Sequence, residues 1–138
     1  MKRIINIVSE VARVSIPNAD SIDISRLDSI VNCSIDTIFI YILEYIKPDF
    51  INNVILSLLN KLRPEGTLII RFADIKNICH LYTMNEISDK EFLGFVQNKS
   101  SILSIDSILT TTNDKFVIVK VDNIDNHLVV IIQRKSLW

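Results

Sequence analysis

Between Ile35 and Phe72 the chain spells out a strand, a helix and a strand in turn, and this succession restricts the possible folds more than any other feature. Ile35 to Ile42 (IDTIFIYI) is a near-continuous apolar run rich in β-branched and aromatic residues. Such a run suits a strand covered on both faces, as in parallel sheets. Pro48 and Asp49 then open a helix. Phe50, Ile51, Val54, Ile55, Leu58, Leu59 and Leu62 follow at spacings of three and four, which makes one helix face apolar. Pro64-Glu65-Gly66 is expected to end that helix, and Thr67 to Phe72 is the next strand. A strand, a crossover helix and a parallel strand form a right-handed βαβ unit.

The flanking sequence extends this pattern. Arg3 to Val8 is a short β-branched run that predicts a buried strand. Ser15 to Asp20 carries turn chemistry, and Ser21 to Ser25 reads as a second, very short strand. Ala73 to Ile87 is a polar connection. Ser88 with Glu91 three residues on forms a capping box for a helix carrying Phe92, Phe95 and Val96. A further helical stretch runs through Ile102, Leu103, Ile105, Ile108 and Leu109. Phe116 to Val121 and His127 to Arg134 are two strands joined near Asn123 to Asn126, and they should pair antiparallel. The expected fold class is α/β: one domain over 1–138, with a Rossmann-like, mostly parallel sheet, helices, and a C-terminal antiparallel hairpin. Sheets of this kind bind ligands at the carboxyl ends of their strands. Here those ends are Val8-Ser9, Asp23-Ile24, Ile40-Tyr41-Ile42 and Phe72-Ala73-Asp74.

Composition removes several function classes. Gly66 and Gly94 are the only glycines, so neither a P-loop nor a G-x-G-x-x-G fingerprint can be present. A net charge of −1 argues against binding nucleic acid or an acidic membrane through bulk charge. Two cysteines and two histidines exclude a Cys-rich zinc site, and no metal site is expected. Mean hydropathy is high, +0.33, yet polar residues break every apolar run well short of the ~18 residues of a membrane span. The N-terminus lacks a secretory apolar core and cleavage site, so the chain reads as cytoplasmic. Cys33 and Cys79 are then expected to be reduced thiols in the core rather than a disulfide.

Ile35-Asp36-Thr37-Ile38, Leu43-Glu44-Tyr45-Ile46 and Leu62-Arg63-Pro64-Glu65-Gly66-Thr67-Leu68-Ile69-Ile70 together resemble the central stretch of class I S-adenosylmethionine-dependent methyltransferases. In the small-molecule members of that family, this stretch reads as an F-D-x-I strand, an L-E-H segment, a helix, and an L-K-P-G-G turn into a strand. The terminal hairpin and the helical segment before it are similar to that fold as well. The resemblance implies S-adenosylmethionine as cofactor and a methyl acceptor, small-molecule or otherwise. It places cofactor contacts on Asn6 and Ser9 at the first strand, on Asp23, which would grip the ribose, and on Tyr41. Substrate contacts fall on Glu44 and Asp74, with the Ala73 to Ile87 loop nearby. Catalytic residues stay unassigned; because the transfer is a direct displacement that needs mainly alignment and exclusion of water, the lack of an evident base is no objection.

The chain departs from the family in four places; Tyr45 for the usual histidine and Glu65 for a turn glycine are tolerable, and the other two bear on the cofactor. Ser9-Glu10-Val11-Ala12 stands where the family carries glycines that let the backbone approach the cofactor. Only residues 24–34 separate Asp23 from the Ile35 strand. A further βαβ unit needs roughly 30 residues, so the family's third strand has no room. The alternative reading is therefore a non-catalytic methyltransferase-like scaffold or partner subunit that has lost cofactor binding. The missing strand would leave Ile4 to Val8 and Ile22 to Ile24 near an uncovered sheet edge, which predicts a homo- or hetero-oligomer.

The remaining candidates each have a plainer role. Asp74 suits a helix N-cap, and Glu44 suits a structural carboxylate. Cys79 and His80 sit in an expected loop with no third orienting residue. His127, near Asp125, is expected to be solvated in the hairpin turn. Lys2, Arg3, Arg13 and Arg26 form either a solvated face or a contact for a phosphate-bearing substrate.

Overall fold

The computed structural model describes residues 2–10, 12–109 and 114–136, with the side chain of Leu109 left out. The chain forms β1 (Ile4–Val8), β2 (Asp20–Asp23), a 3₁₀ turn (Ile24–Ser29), β3 (Ile35–Ile40) and a second 3₁₀ turn (Leu43–Tyr45). Then follow α1 (Pro48–Lys61), β4 (Leu62–Ala73), α2 (Ile75–Thr83), α3 (Asp89–Val96), α4 (Ile105–Leu109), β5 (Phe116–Ile124) and β6 (His127–Arg134). The six strands lie in the order β2-β1-β3-β4-β6-β5. β2, β1, β3 and β4 run parallel. β6 pairs antiparallel with both β4 and β5. The expected mostly parallel sheet with a terminal hairpin is present.

Side-chain alternation divides the sheet into two unlike faces. Ile5, Ile7, Ile38, Ile40, Leu68, Ile70, Val130 and Ile132 point to one face, each no more than 1% exposed. They form a single core with Ile51, Ile55, Leu58 and Leu59 of α1 and with Leu103 and Ile108 from the α4 region. On the other face, Phe39, Ile69, Val129 and Ile131 are only half-buried. The β1-to-β2 connection crosses this second face without forming a helix, and the Asn6 side-chain amide donates to Val14 O. Asn6, Ile7 and Val8 are consequently buried on both sides of β1.

Several expected boundaries move for identifiable reasons. The Ile35 to Ile42 run leaves the sheet at Ile40, because Ile42 and Leu43 bury themselves in a 3₁₀ turn. The second strand spans Asp20–Asp23. Asp23 then caps a 3₁₀ turn by accepting from Ser25 N–H, which takes Ile24 and Ser25 out of the strand. Pro64-Glu65-Gly66 does not separate helix from strand. It is an irregularity inside β4, where the register to β3 shifts and Glu65 takes φ 68°. A β-carbon on Gly66 would lie 2.9 Å from Arg63 O and 3.1 Å from both Asp36 O and Ile35 O, so this position demands glycine.

The polar connection after β4 contains α2, capped by Asp74, whose carboxylate accepts from Asn77 N–H. His80 is thus on a helix and not in a loop. Cys33 and Cys79 are free thiols, but both are exposed, contrary to the core placement expected from sequence. Cys33 occupies a left-handed turn, φ 57°, and Cys79 follows the buried Ile78 on the outer side of α2. The Ser88–Glu91 capping box is formed reciprocally. The apolar stretch from Ile102 becomes helical only at Ile105. The expected exposed apolar edge takes a different form. β1 is interior to the sheet, and the edge strand beside it, β2, is four residues long with Asp20 and Asp23 at its ends. Short charged edges resist pairing with other chains.

Candidate functional site

The strand order reverses direction at β1: β2 lies on one side of it and β3 on the other. A crevice outside the carboxyl ends of the strands opens at such a switch point. Two clefts occupy it. One, of about 540 Å³, is lined by Val8, Ser21, Asp23, Ser25, Arg26 and Arg13. The other, of about 250 Å³, is lined by the Ala12–Val14 segment, Tyr41, Glu44, Tyr45, Arg71, Lys99 and His127. Arg13 is their common wall. Tyr45, Lys99 and His127 also line a neighbouring hollow of about 410 Å³ with Glu91, Gly94 and Phe95 of α3.

Asp23 is placed at the first cleft. The Ser25 N–H, then the Ser25 hydroxyl, and beyond them the Arg13 and Arg26 charges hold its carboxyl below the ordinary aspartate range. It is therefore ionised at neutral pH. One oxygen accepts from Ser25 N–H at 2.9 Å and the other faces Arg13 at 3.8 Å. A carboxylate offers about four acceptor positions, so capacity for a ligand's hydroxyls remains.

Tyr41 and Glu44 meet at the second cleft. The Arg71 guanidinium lies over the Tyr41 ring, 4.2 Å from its centroid. Glu44 is 4% exposed and binds Lys99 Nζ at 2.9 Å. Its backbone carbonyl accepts from the N–H groups of Ser100 and Ser101, at 2.8 and 2.9 Å. The pair thus ties the segment after α3 to the end of β3. Removing one partner of a buried ion pair strands the other charge, which costs about 3–5 kcal/mol. Glu44 serves structure and cleft wall together.

Asn6, Ser9 and Asp74 are placed differently. Asn6 lies under the Ala12–Val14 segment, its Nδ2 spent on Val14 O and its Oδ1 buried with no partner among the described residues. Ser9 and Ala12 close on each other through both backbone N–H groups, at 3.0 and 3.3 Å, where the resemblance called for a glycine loop. Val11 of that segment lies outside the described residues. Asp74 uses one oxygen for its helix cap and the other for Asn123 Nδ2 at 2.7 Å.

Arg71 and Lys99 were not singled out from sequence, and His127 was considered only as a solvated turn residue. His127 is instead half-buried and packs against Phe95 at 5.9 Å. Its Nδ1 lies 2.9 Å from Asp125 O. A carbonyl can only accept, so Nδ1 carries the proton and Nε2 keeps its lone pair in the neutral ring. Pairing register was the available signal: an antiparallel last strand begins where its parallel neighbour ends, and His127 pairs with Ala73 at the end of β4.

No protein-family model matches the chain, and no curated protein sequence matches it. Solved structures do match. An S-adenosylmethionine-dependent methyltransferase from Methanosarcina mazei superposes with TM-score 0.61 at 13% identity, over 97% of this chain and 92% of that one. One from Mesorhizobium loti gives 0.61 at 10% identity, over 96% and 90%. A Pyrococcus horikoshii protein gives 0.61 at 17%, but the chain spans only 60% of its length. A methyltransferase structure from Haloferax volcanii, solved as a complex with a methyltransferase activator, gives 0.56 at 9% and is covered over 65% of its length. The fold is therefore methyltransferase-like α/β, with a 3₁₀ turn and no strand between β2 and β3.

Proposed function

We propose that the chain binds S-adenosylmethionine across the carboxyl ends of β2, β1 and β3 and transfers its methyl group to an acceptor in the hollow beside α3. The observation that carries this reading is the pair of clefts sharing Arg13, which run from Asp23 to Tyr41 along the switch point of a methyltransferase-like sheet. Volumes of this order suit a nucleoside with an attached amino acid. The residues fit the cofactor. Asp23 is an ionised acceptor for ribose hydroxyls, and the Asn6 Oδ1 beneath the second cleft is a buried acceptor still lacking a donor.

The bound cofactor supplies an electrophilic methyl on a sulfonium. Alignment of the acceptor and exclusion of water are the protein's main contributions to such a displacement. Tyr41 and Tyr45 wall the path between cleft and hollow, and Phe95 closes the hollow from α3. His127, with Nδ1–H committed to Asp125 O, presents Nε2 as the site that takes the acceptor's proton. Glu44 holds Lys99 in the shared wall. Ser9 shapes the turn over β1, and Asp74 anchors α2 to the terminal hairpin at the rim.

Calorimetric titration with S-adenosylmethionine and S-adenosylhomocysteine tests this. Micromolar binding, weakened about tenfold or more by Asp23→Ala, is the expected result, as for loss of a charged hydrogen-bonding partner. A folded chain that binds neither overturns it and favours the scaffold reading. The observation behind that second reading is the Ser9–Ala12 turn, whose N–H groups are spent on each other and carry no glycine.

We further propose that another chain covers the half-exposed sheet face, as a homo- or hetero-oligomer. The methyltransferase–activator complex among the structural neighbours supports the idea that this fold takes partners. Two unbridged, exposed thiols support a reducing compartment such as the cytoplasm.

A further inference from the structure

Arg71 is the anomaly of the open sheet face. It stands two residues before the end of β4, its strand partner is Val129, and its guanidinium lies on the Tyr41 ring. Among the described residues no carboxylate pairs with it. The one acid lining its cleft, Glu44, is committed to Lys99. Arg13, across the same cleft, is engaged only at 3.8 Å, and by Asp23. The cleft thus holds more positive charge than its own acids balance. The turn after β1 has also spent on itself the N–H groups of Ser9 and Ala12, which a glycine loop would present to an anion. A planar guanidinium fixed by stacking is preorganised to grip a carboxylate through two parallel hydrogen bonds.

We propose that Arg71, braced by Tyr41, is the carboxylate-binding residue of this site: it receives the amino-acid carboxylate of the cofactor in place of the missing glycine loop. This rests on the cofactor reading above. Arg13, at the junction of the clefts, lies along the path from the ribose end to the carboxylate end.

Two ligands separate this claim from the reading beneath it. S-adenosylhomocysteine carries the carboxylate. 5′-Methylthioadenosine keeps the nucleoside and the sulfur but lacks the amino-acid end. Both are titrated calorimetrically into the wild type, Arg71→Gln and Arg71→Lys. The expected result is a loss of about tenfold to hundredfold for S-adenosylhomocysteine in Arg71→Gln, a smaller loss in Arg71→Lys, and methylthioadenosine affinity unchanged within about twofold. Partial unfolding of a variant scales both apparent affinities alike, so the ratio of the two stays diagnostic. Tyr41→Leu, which removes the brace, should lower that ratio in the same direction. An unchanged ratio in Arg71→Gln overturns the assignment while leaving the cofactor site standing. Binding of neither ligand by the folded wild type overturns both.

Discussion

Glu65 holds φ 68°, in the left-handed region that costs a residue with a β-carbon about 1–2 kcal/mol. Its side chain returns little, since its contact with Ser136 Oγ is exposed. Glu65→Gly should therefore stabilise the chain by about 1 kcal/mol, after allowing for the extra freedom of glycine when unfolded. The next position behaves oppositely. Gly66 has ordinary φ but no room, and Gly66→Ala should destabilise by about 1–3 kcal/mol because three backbone oxygens must give way. Urea unfolding of the two variants checks both signs; matching signs would mean that close approach and backbone strain have been confused. The family-like stretch showed Glu65 in a turn-glycine position, but the change was read as tolerable; only the backbone, at φ 68°, reveals the strain. Asp23, Tyr41 and Glu44 were legible for a positional reason: each follows a recognisable strand, and strand ends are where such sheets place ligands. Arg71 and Lys99 were not, because an arginine inside an apolar strand or a lysine in a loop gains meaning only from what crosses beside it; His127 was noticed but read as solvated, because its burial by Phe95 depends on a distant helix.

At the scale of elements, α3 is the segment held least by packing. It buries no residue fully, and its start depends on the Ser88–Glu91 box. What joins it to α2 is the Tyr82–Phe92 stack at 4.3 Å and the Tyr82 hydroxyl donating to Asp89 at 2.7 Å. That hydrogen bond to the carboxylate raises the Tyr82 pKa above its usual value, so the phenol stays a donor through neutral pH. Ser88→Ala should destabilise α3 by about 0.5–2 kcal/mol. The loss is expected in the hydrogen-exchange protection of Asp89–Val96, with β3 and β4 unchanged, because α3 can open without exposing the core. Equal loss of protection in the sheet would show that α3 folds as one unit with it. The box was readable because it is purely local. Helix α2 was legible only through the Asp74 N-cap of a short helix over Ile75 to Cys79, because it turns only Ile78 fully inward, which leaves almost no apolar period to detect. The run through Ile42 overshot β3 for the converse reason: Ile42 and Leu43 are as buried as strand residues, and a short apolar run does not distinguish a strand from a buried turn.

The molecule as a whole is a sheet with one finished face. Helices pack against Ile38, Ile40, Leu68 and Ile70, whereas on the opposite face Phe39, Ile69, Val129 and Ile131 stay half-buried and outside the core cluster of the described residues. Val117, which pairs with Gln133 on this face, is 42% exposed, and Lys120 and Asp122, opposite Ile131 and Val129, bound the apolar patch. Contiguous apolar surface of this kind marks an interaction site on a folded chain. The sequence pointed to association from the missing third strand but assigned it to the edge. The β2 edge, where the missing strand would have lain, is short and acidic, so pairing strand to strand there would bring Asp20 and Asp23 against a neighbour without compensating charge; β5 forms the opposite edge. Association through the face instead should be apolar, and so nearly independent of salt. Sedimentation of the purified chain should then give a mass above 15.8 kDa that rises with concentration at both low and high ionic strength. Ile69→Lys combined with Ile131→Glu, an opposite-charge pair across the two strands, should return it to the monomer. Both side chains are half-buried at most, and a lysine stem can lie along apolar surface while its charge reaches water, so the monomer should keep its fold. A mass of 15.8 kDa at every concentration would remove self-association as the role of this face. Association abolished by salt alone would return the contact to the charged edge.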